Sequence, residues 1–238
     1  MSIVNIKLIK KEEIANETMV FHWEKPEGFE FRAGQFGDFT LINPPETDDE
    51  GNTRGFSLAS APYENELINA TRMRDTAFKR VLKNLPLGVE VKFDAPYGDF
   101  ILHKTETTPA VFLTGGIGIT PVHSIISQAT HDKLPHKITL LYSNKTRKYT
   151  AFLNDLTDFA KQNPNFTFVP VMTRLKPDEW GGETGHVTAQ MLKKYVPDLS
   201  TPRFYLSGPA GMVATMRQIL IDAKVNEDNI KTEEFSGY

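Results

Sequence analysis

The hydrophobic period of this chain changes once, near Pro109, and that change restricts it to folds with two unlike halves. Before it, the segments 3–9, 18–23, 37–42, 67–73 and 90–93 are short and rich in β-branched and aromatic residues, and several alternate apolar with polar positions. Alternation puts every second side chain on one face, as a half-buried strand requires. The clusters KPEG at 25–28, NPPETDDEGN at 43–52 and APYGD at 95–99 separate them with turn residues. Short strands spaced in this way suggest an antiparallel barrel or sandwich. One helical stripe interrupts them: from a start near Asp75, residues Phe78, Val81, Leu82 and Leu85 recur at i, i+3, i+4 and i+7.

Beyond Pro109 the run AVFLT at 110–114 is continuously apolar, as in a strand covered on both faces. A helix with Val122, Ile125, Ile126 and Ala129 on one side should follow it. Strands at 137–142, 166–172, 204–206 and 230–235 alternate with helices at 152–160, 189–195 and 212–223. That alternation predicts a doubly wound parallel sheet. The polar stretch HKTETTP at 102–108 fits neither period and divides the chain into 1–104 and 105–238. With a further strand through 54–58, the expected architecture is a six-stranded antiparallel barrel followed by a five-stranded parallel α/β domain.

Composition removes several functions. A net charge of −3 gives no reason to expect nucleic acid or an anionic membrane as partner. No apolar run approaches the roughly 20 residues that span a bilayer, and MSIVNIKLIKKEE lacks the apolar core of a secretory signal, so a cytoplasmic protein is expected. With no cysteine there is no disulfide, no thiolate nucleophile and no cysteine-ligated cluster. The six histidines show no metal-ligand spacing, and no metal is expected.

Two stretches carry chemistry. TGGIGITP at 114–121 joins the first strand and first helix of the second half. Its glycines let backbone approach a ligand, Thr120 can cap the helix and Pro121 suits its first turn. Free amides and the helix dipole there favour a phosphate. Arg54, Phe56 and Ser57, with Gly55 and Leu58 between and after them, place an anion-binding guanidinium, a flat ring and a hydroxyl on one short strand. Taken alone, that stretch reads as an ordinary strand with one exposed arginine.

Together these motifs resemble those of the ferredoxin–NADP reductase family. RGFSLASAP is similar to its flavin motif and GGIGITP to its nicotinamide diphosphate loop, about sixty residues later. The stretch 205–212, YLSGPAGM, resembles its later glycine–proline loop. The resemblance covers essentially the whole chain, in the stand-alone two-domain form. It implies a flavoprotein enzyme that takes hydride from NADPH or NADH onto FAD, or FMN, and passes electrons to a separate acceptor. A ferredoxin, a flavodoxin, an oxygenase component and a small molecule all fit that acceptor, and the chain itself is expected as a monomer. A flavin-binding redox sensor without turnover is the alternative. A structural domain that has lost the cofactor is a further rival.

The resemblance also distributes roles. Arg54 would neutralise the flavin diphosphate, Phe56 would lie on the ring, and Ser57 would donate to the flavin nitrogen that receives hydride. Thr71, Arg72 and Met73 would line the flavin by backbone contacts, and Thr76 would open a helix toward phosphate. Gly115, Gly116, Gly118, Thr120 and Pro121 would take the nicotinamide diphosphate. Ser207, with Gly208, Pro209 and Met212, would flank the nicotinamide; many relatives have cysteine where Ser207 stands, which implies slower hydride transfer here. Glu233 and Phe235 match a glutamate and aromatic that close over the flavin, a role Tyr238 could share. Arg174, near Lys145, Arg147 and Lys148, would favour a 2′-phosphate and hence NADPH.

Overall fold

The computed structural model describes residues 3–235 and places two six-stranded sheets side by side. The first contains β1 (Val4–Ala15), β2 (Thr18–Glu24), β3 (Phe36–Leu41), β4 (Thr53–Ser57), β5 (Glu66–Arg72) and, after helix α1 (Ala77–Asn84), β6 (Glu90–Tyr97). They run antiparallel in the order β4-β3-β6-β1-β2-β5. The sheet curls toward a barrel but does not close, because β4 and β5 form no ladder with each other. Its interior is filled by alternate residues of facing strands, including Phe21, Trp23, Phe39, Leu67 and Phe93. The one polar atom of Trp23 is satisfied there: its Nε1 donates to Asn69 Oδ1 at 2.6 Å. α1 covers the end of this core with Phe78, Val81 and Leu82, the stripe read from the sequence.

The strand β1 continues to Ala15, well past the apolar stretch 3–9. Its first residues pair with β6 and the rest with β2, so a single strand turns the corner of the sheet. The continuation KKEE reads as loop in sequence because one face of it meets solvent.

The second sheet is parallel, in the order β10-β9-β8-β7-β11-β12. It comprises β7 (Ala110–Gly115), β8 (Ile138–Asn144), β9 (Phe166–Met172), β10 (Glu183–Thr184), β11 (Arg203–Pro209) and β12 (Ile230–Phe235). The helices are α2 (Ile119–His131), α3 (Leu153–Gln162), the single turn α4 (Pro177–Trp180), α5 (Ala189–Tyr195) and α6 (Ala210–Asp222). Five of the strands were expected; β10 adds a sixth of two residues inside the glycine-rich GGETGH, too short to leave a periodic signal. Every residue of β7 is buried: Ala110 and Phe112 enter one core and Val111 and Leu113 the other, on opposite faces. The polar stretch between the halves is pinned, with the His103 N–H donating to the Tyr205 hydroxyl at 3.0 Å. A smaller cluster joins the halves: Val20 and Ala70 of the first pack with Ile117 and Phe235 of the second.

Candidate functional site

The gap between β4 and β5 opens into a cleft of about 600 Å³ whose far wall comes from the second half. β4 supplies Arg54, Gly55, Phe56 and Ser57, and β5 supplies Ala70, Thr71 and Arg72. Thr76 and Lys79 enter from the start of α1, and Ile117, Thr120, Glu233 and Phe235 from beyond the gap.

Arg54 and Phe56 are two apart on β4 and so share a face. Both lie against Phe78, the Phe56 ring at 5.9 Å between centroids and the Arg54 guanidinium 5.1 Å over the ring. Phe56 therefore has a packed back and one side toward the cleft. Arg54 Nη1 donates to the carbonyls of Glu50, Gly51 and Thr53 at 2.9, 3.0 and 2.8 Å. Its Nη2 faces Asp48 Oδ1 at 3.3 Å and Glu50 Oε2 at 2.9 Å. Ser57, 4% exposed, sits at the cleft's edge.

Cationic groups gather in the cleft beside β4 and α1. Arg72, Arg74 and Lys79 join Arg54 in the lining. Burial, then the neighbouring Arg74 and Arg54, push the Lys79 ammonium down to about 8, while its Nζ donates to the Arg72 carbonyl at 2.8 Å. Arg72 is buried with its guanidinium 5.7 Å over the Tyr149 ring, and its Nε has no hydrogen-bond partner among the described residues. A buried guanidinium N–H without an acceptor is costly, so this wall suits an anionic ligand rich in acceptors. Thr76 caps α1 by accepting from the Lys79 N–H at 3.4 Å, as the sequence placed it. The adjacent Ala77 N–H is the helix's first free amide, and it donates to Asp48 Oδ2 at 3.2 Å. Aromatic platform, hydroxyl and cationic end together fit a flavin dinucleotide.

At the far wall, Phe235 ends β12 opposite Pro209 and packs on the cluster that joins the halves. Glu233 lies opposite Ser207 on the neighbouring strand. Burial, reinforced by the Asp99 charge, pushes its carboxyl up to about 7, and Oε2 has no partner among the described residues.

The loop following β7 and the last residues of β11 meet backbone to backbone. A Cβ on Gly118 would stand 2.6 Å from Cα and N of Gly208, and one on Gly208 would stand 2.9 Å from the Gly115 carbonyl oxygen. Gly208 also holds φ +147°, a conformation that L side chains rarely adopt. These glycines thus bring the two segments together, beyond the ligand approach read from sequence. Thr120 does not cap α2: Gly118 is the N-cap, and the Thr120 hydroxyl donates to the Ile117 carbonyl at 3.0 Å from inside the first turn. Pro121 does lie in that first turn, where no amide is needed.

Several expected site residues lie elsewhere. Leu58 is fully buried in the first core, and Met73 packs on that core with its N–H on the Glu17 carbonyl. Ser207 is fully buried, its hydroxyl 3.1 Å from that of Thr114, and it does not line the cleft. Gly115, Gly116, Gly208, Pro209 and Met212 surround the loop contact instead. Arg174 is exposed past the end of β9, its N–H on the Lys145 carbonyl at 3.0 Å. Tyr238 lies outside the described residues. Lining residues not anticipated are Phe36, Glu50, Ala70, Arg74, Lys79, Ile117 and Glu234. Of these, Ile117 lies inside the 114–121 loop, and Lys79 stands one helical turn after Thr76 on the same face.

Comparison with known proteins agrees with this geometry. Residues 112–218 match the family model described as oxidoreductase NAD-binding domain. The chain is 28% identical over 242 residues to a probable flavin reductase of Photobacterium leiognathi, covering 98% of this chain and 99% of that one. It is 26% identical over 235 residues to one component of the Na(+)-translocating NADH-quinone reductase of Idiomarina loihiensis, covering 91% of this chain and 57% of that one. The chain thus spans a little over half the length of that component. The fold matches a ferredoxin NADP+ reductase from Neisseria gonorrhoeae with bound FAD and NADP, at a TM-score of 0.80, 22% identity and 98% coverage of both chains. It also matches the FAD/NAD-binding domain of a nitric oxide dioxygenase from Vibrio cholerae, at a TM-score of 0.83, 19% identity and 97% and 98% coverage. No helix among the described residues is long and apolar enough to cross a membrane.

Proposed function

We propose that the chain is a ferredoxin–NADP reductase-like FAD/NAD-binding oxidoreductase, which takes hydride from NADPH onto FAD and passes the electrons to a separate acceptor. One observation carries the reading: a single cleft is lined on one side by guanidinium, ring and hydroxyl from β4, and on the other by the loop and last strand of the nicotinamide half. When bound, the flavin supplies the redox chemistry, accepting two electrons as hydride and releasing them singly.

The chain's own residues bind, align and exclude water. Arg54 and the amide at the start of α1 hold the diphosphate. Phe56 presents its free side to the ring, and Ser57 donates to the hydride-receiving edge. Phe235 covers that edge and yields to nicotinamide. Glu233 carries a proton at Oε2 beside it. In the nicotinamide half, 105–238, the loop at 115–121 takes the dinucleotide's diphosphate at the start of α2. Ser207, Gly208, Pro209 and Met212 shape the floor under the nicotinamide. Aligning donor and flavin in this way lowers the barrier by several kcal/mol through proximity alone.

Arg174 supports NADPH over NADH, with Lys145 beside it through a backbone bond and the Arg147 guanidinium 5.5 Å over the Trp180 ring. These cations stand at the ends of β8 and β9, where a 2′-phosphate needs fixed positive charge. The acceptor is a small molecule or a small redox protein; the end-to-end likeness to a probable flavin reductase favours the small molecule. Steady-state NADPH oxidation by flavin-loaded protein, with free FMN, a soluble quinone, a ferric chelate, ferredoxin or flavodoxin added in turn, tests the reading. Turnover that depends on the acceptor is expected; no NADPH or NADH oxidation with any of them would reject it.

A further inference from the structure

The segment between β3 and β4 forms a strap in which three carboxylates, Glu46, Asp48 and Glu50, grip cations of the first half. Glu46 holds Arg80 with both oxygens, Nε to Oε1 at 3.0 Å and Nη2 to Oε2 at 2.6 Å. Glu50 meets Arg54 at 2.9 Å. Asp48 does more: Oδ1 faces Arg54 Nη2 at 3.3 Å and Oδ2 accepts from the Ala77 N–H at 3.2 Å. One carboxylate thus bridges the two donors, a guanidinium and a helix's first free amide, that the proposed function assigns to the flavin diphosphate. Phosphate and carboxylate oxygens accept from the same N–H groups and cannot both have them. The Arg54 Nη1 protons are held by the strap carbonyls of Glu50 and Gly51 and by that of Thr53 at the start of β4, so the guanidinium is oriented toward the strap.

We propose that Asp48 is an internal competitor for the diphosphate of the flavin, so that the adenosine diphosphate end of FAD binds only as the strap lifts, while binding of the ring is independent of it. The inference rests on the flavoprotein reading above. The strap is suited to exchange, because its ion pairs are solvent-facing, with the Glu50, Glu46 and Asp48 side chains 75%, 40% and 33% exposed. Pairs in that setting hold weakly and give way to a better ligand. The apparent affinity for FAD is then its intrinsic affinity reduced by the fraction of molecules with the strap lifted. Asp48 is in this sense a specificity residue. It lowers the advantage of dinucleotide over bare flavin and makes the cofactor exchangeable.

The test uses the full chain freed of flavin, with dissociation constants for riboflavin, FMN and FAD measured by fluorescence quenching. Inorganic pyrophosphate serves as competitor against FAD. Asp48→Asn keeps the size and an oxygen for the Ala77 N–H but loses the charge. It should tighten FAD about tenfold and leave riboflavin within about twofold, with pyrophosphate competing at lower concentration. Glu46→Gln loosens the strap without touching Arg54 or Ala77, and should shift FAD in the same direction by a smaller factor. If Asp48→Asn fails to fold by circular dichroism, Glu46→Gln decides alone. Unchanged or weaker FAD binding in a folded variant overturns the proposal and leaves Asp48 as support for α1; equal tightening of riboflavin overturns it as well. A parent chain that binds none of the three flavins contradicts the flavoprotein reading instead.

Discussion

The two halves build their binding surfaces from different materials. In the first, side chains do the work: Arg54, Phe56 and Ser57 project from β4, with Arg72 and Lys79 beside them. In the second, backbone does, where the loop after β7 lies against the end of β11 with Gly118 under Gly208. A surface of side chains loses one contact when one residue changes. A surface of touching backbones has no slack, because an added atom must displace the chain itself.

The sharpest way to break this contrast is a pair of glycine substitutions. In Gly118→Ala the new Cβ would sit 2.6 Å from backbone atoms of Gly208 and Ser207. It should cost about 3 kcal/mol or more of stability and abolish nicotinamide binding. Gly55→Ala on β4 comes closest to the Asp38 carboxylate at 3.2 Å, which can turn aside, and otherwise makes ordinary contact with the Phe36 ring at 3.6 Å, so it should cost less than about 1 kcal/mol. Urea unfolding of both variants checks this, and equal losses would erase the distinction.

Next in size is Arg54→Gln, which should weaken FAD binding by about 10- to 100-fold and leave nicotinamide binding and unfolding near the parent's. Equilibrium dialysis with FAD measures it. A comparable loss of stability would mean that Arg54 supports the strap more than it serves a ligand.

A smaller effect comes from Glu233, whose carboxyl ionises near 7 in the folded chain against about 4.5 as a free group. Between those values the folded state holds a proton that the unfolded state has lost, so stability falls as pH rises from 4.5 toward 7 and levels off above. Glu233→Gln removes that slope and should be more stable than the parent at pH 8 by on the order of 1 kcal/mol, with little difference at pH 4. Denaturation at the two pH values reads it out; parallel pH profiles would place Glu233 in contact with water. Smallest is Ser207→Ala, which loses the bond to Thr114 and should cost about 1 kcal/mol.

The same contrast explains what could be read before the fold was known. Strand alternation around Phe21 and Phe93, the stripe on α1 and the apolar β7 are periodic, so both architectures were legible. The residue types of 54–57 are also written directly in sequence, but alone they read as an ordinary strand; it was the resemblance that singled them out, and the structure places them in the cleft. The lining from Phe36 and Ala70 was not legible, since it depends on which strands border the gap. The glycine loops were legible only as permission for close approach; that Gly118 approaches Gly208 needed β7 and β11 to be neighbours. β10 and the long continuation of β1 escaped for a plainer reason, one being two residues long and the other charged on its wet face.

The central claim is that the side-chain cleft and the backbone loops form one hydride-transfer site. An absorption spectrum of the purified chain, followed by anaerobic titration with NADPH and then NADH, tests it most directly. The account predicts a yellow protein whose flavin band bleaches with stoichiometric NADPH and less readily with NADH. A protein that stays colourless after incubation with FAD, or binds flavin and keeps its band under excess of either nucleotide, would contradict it.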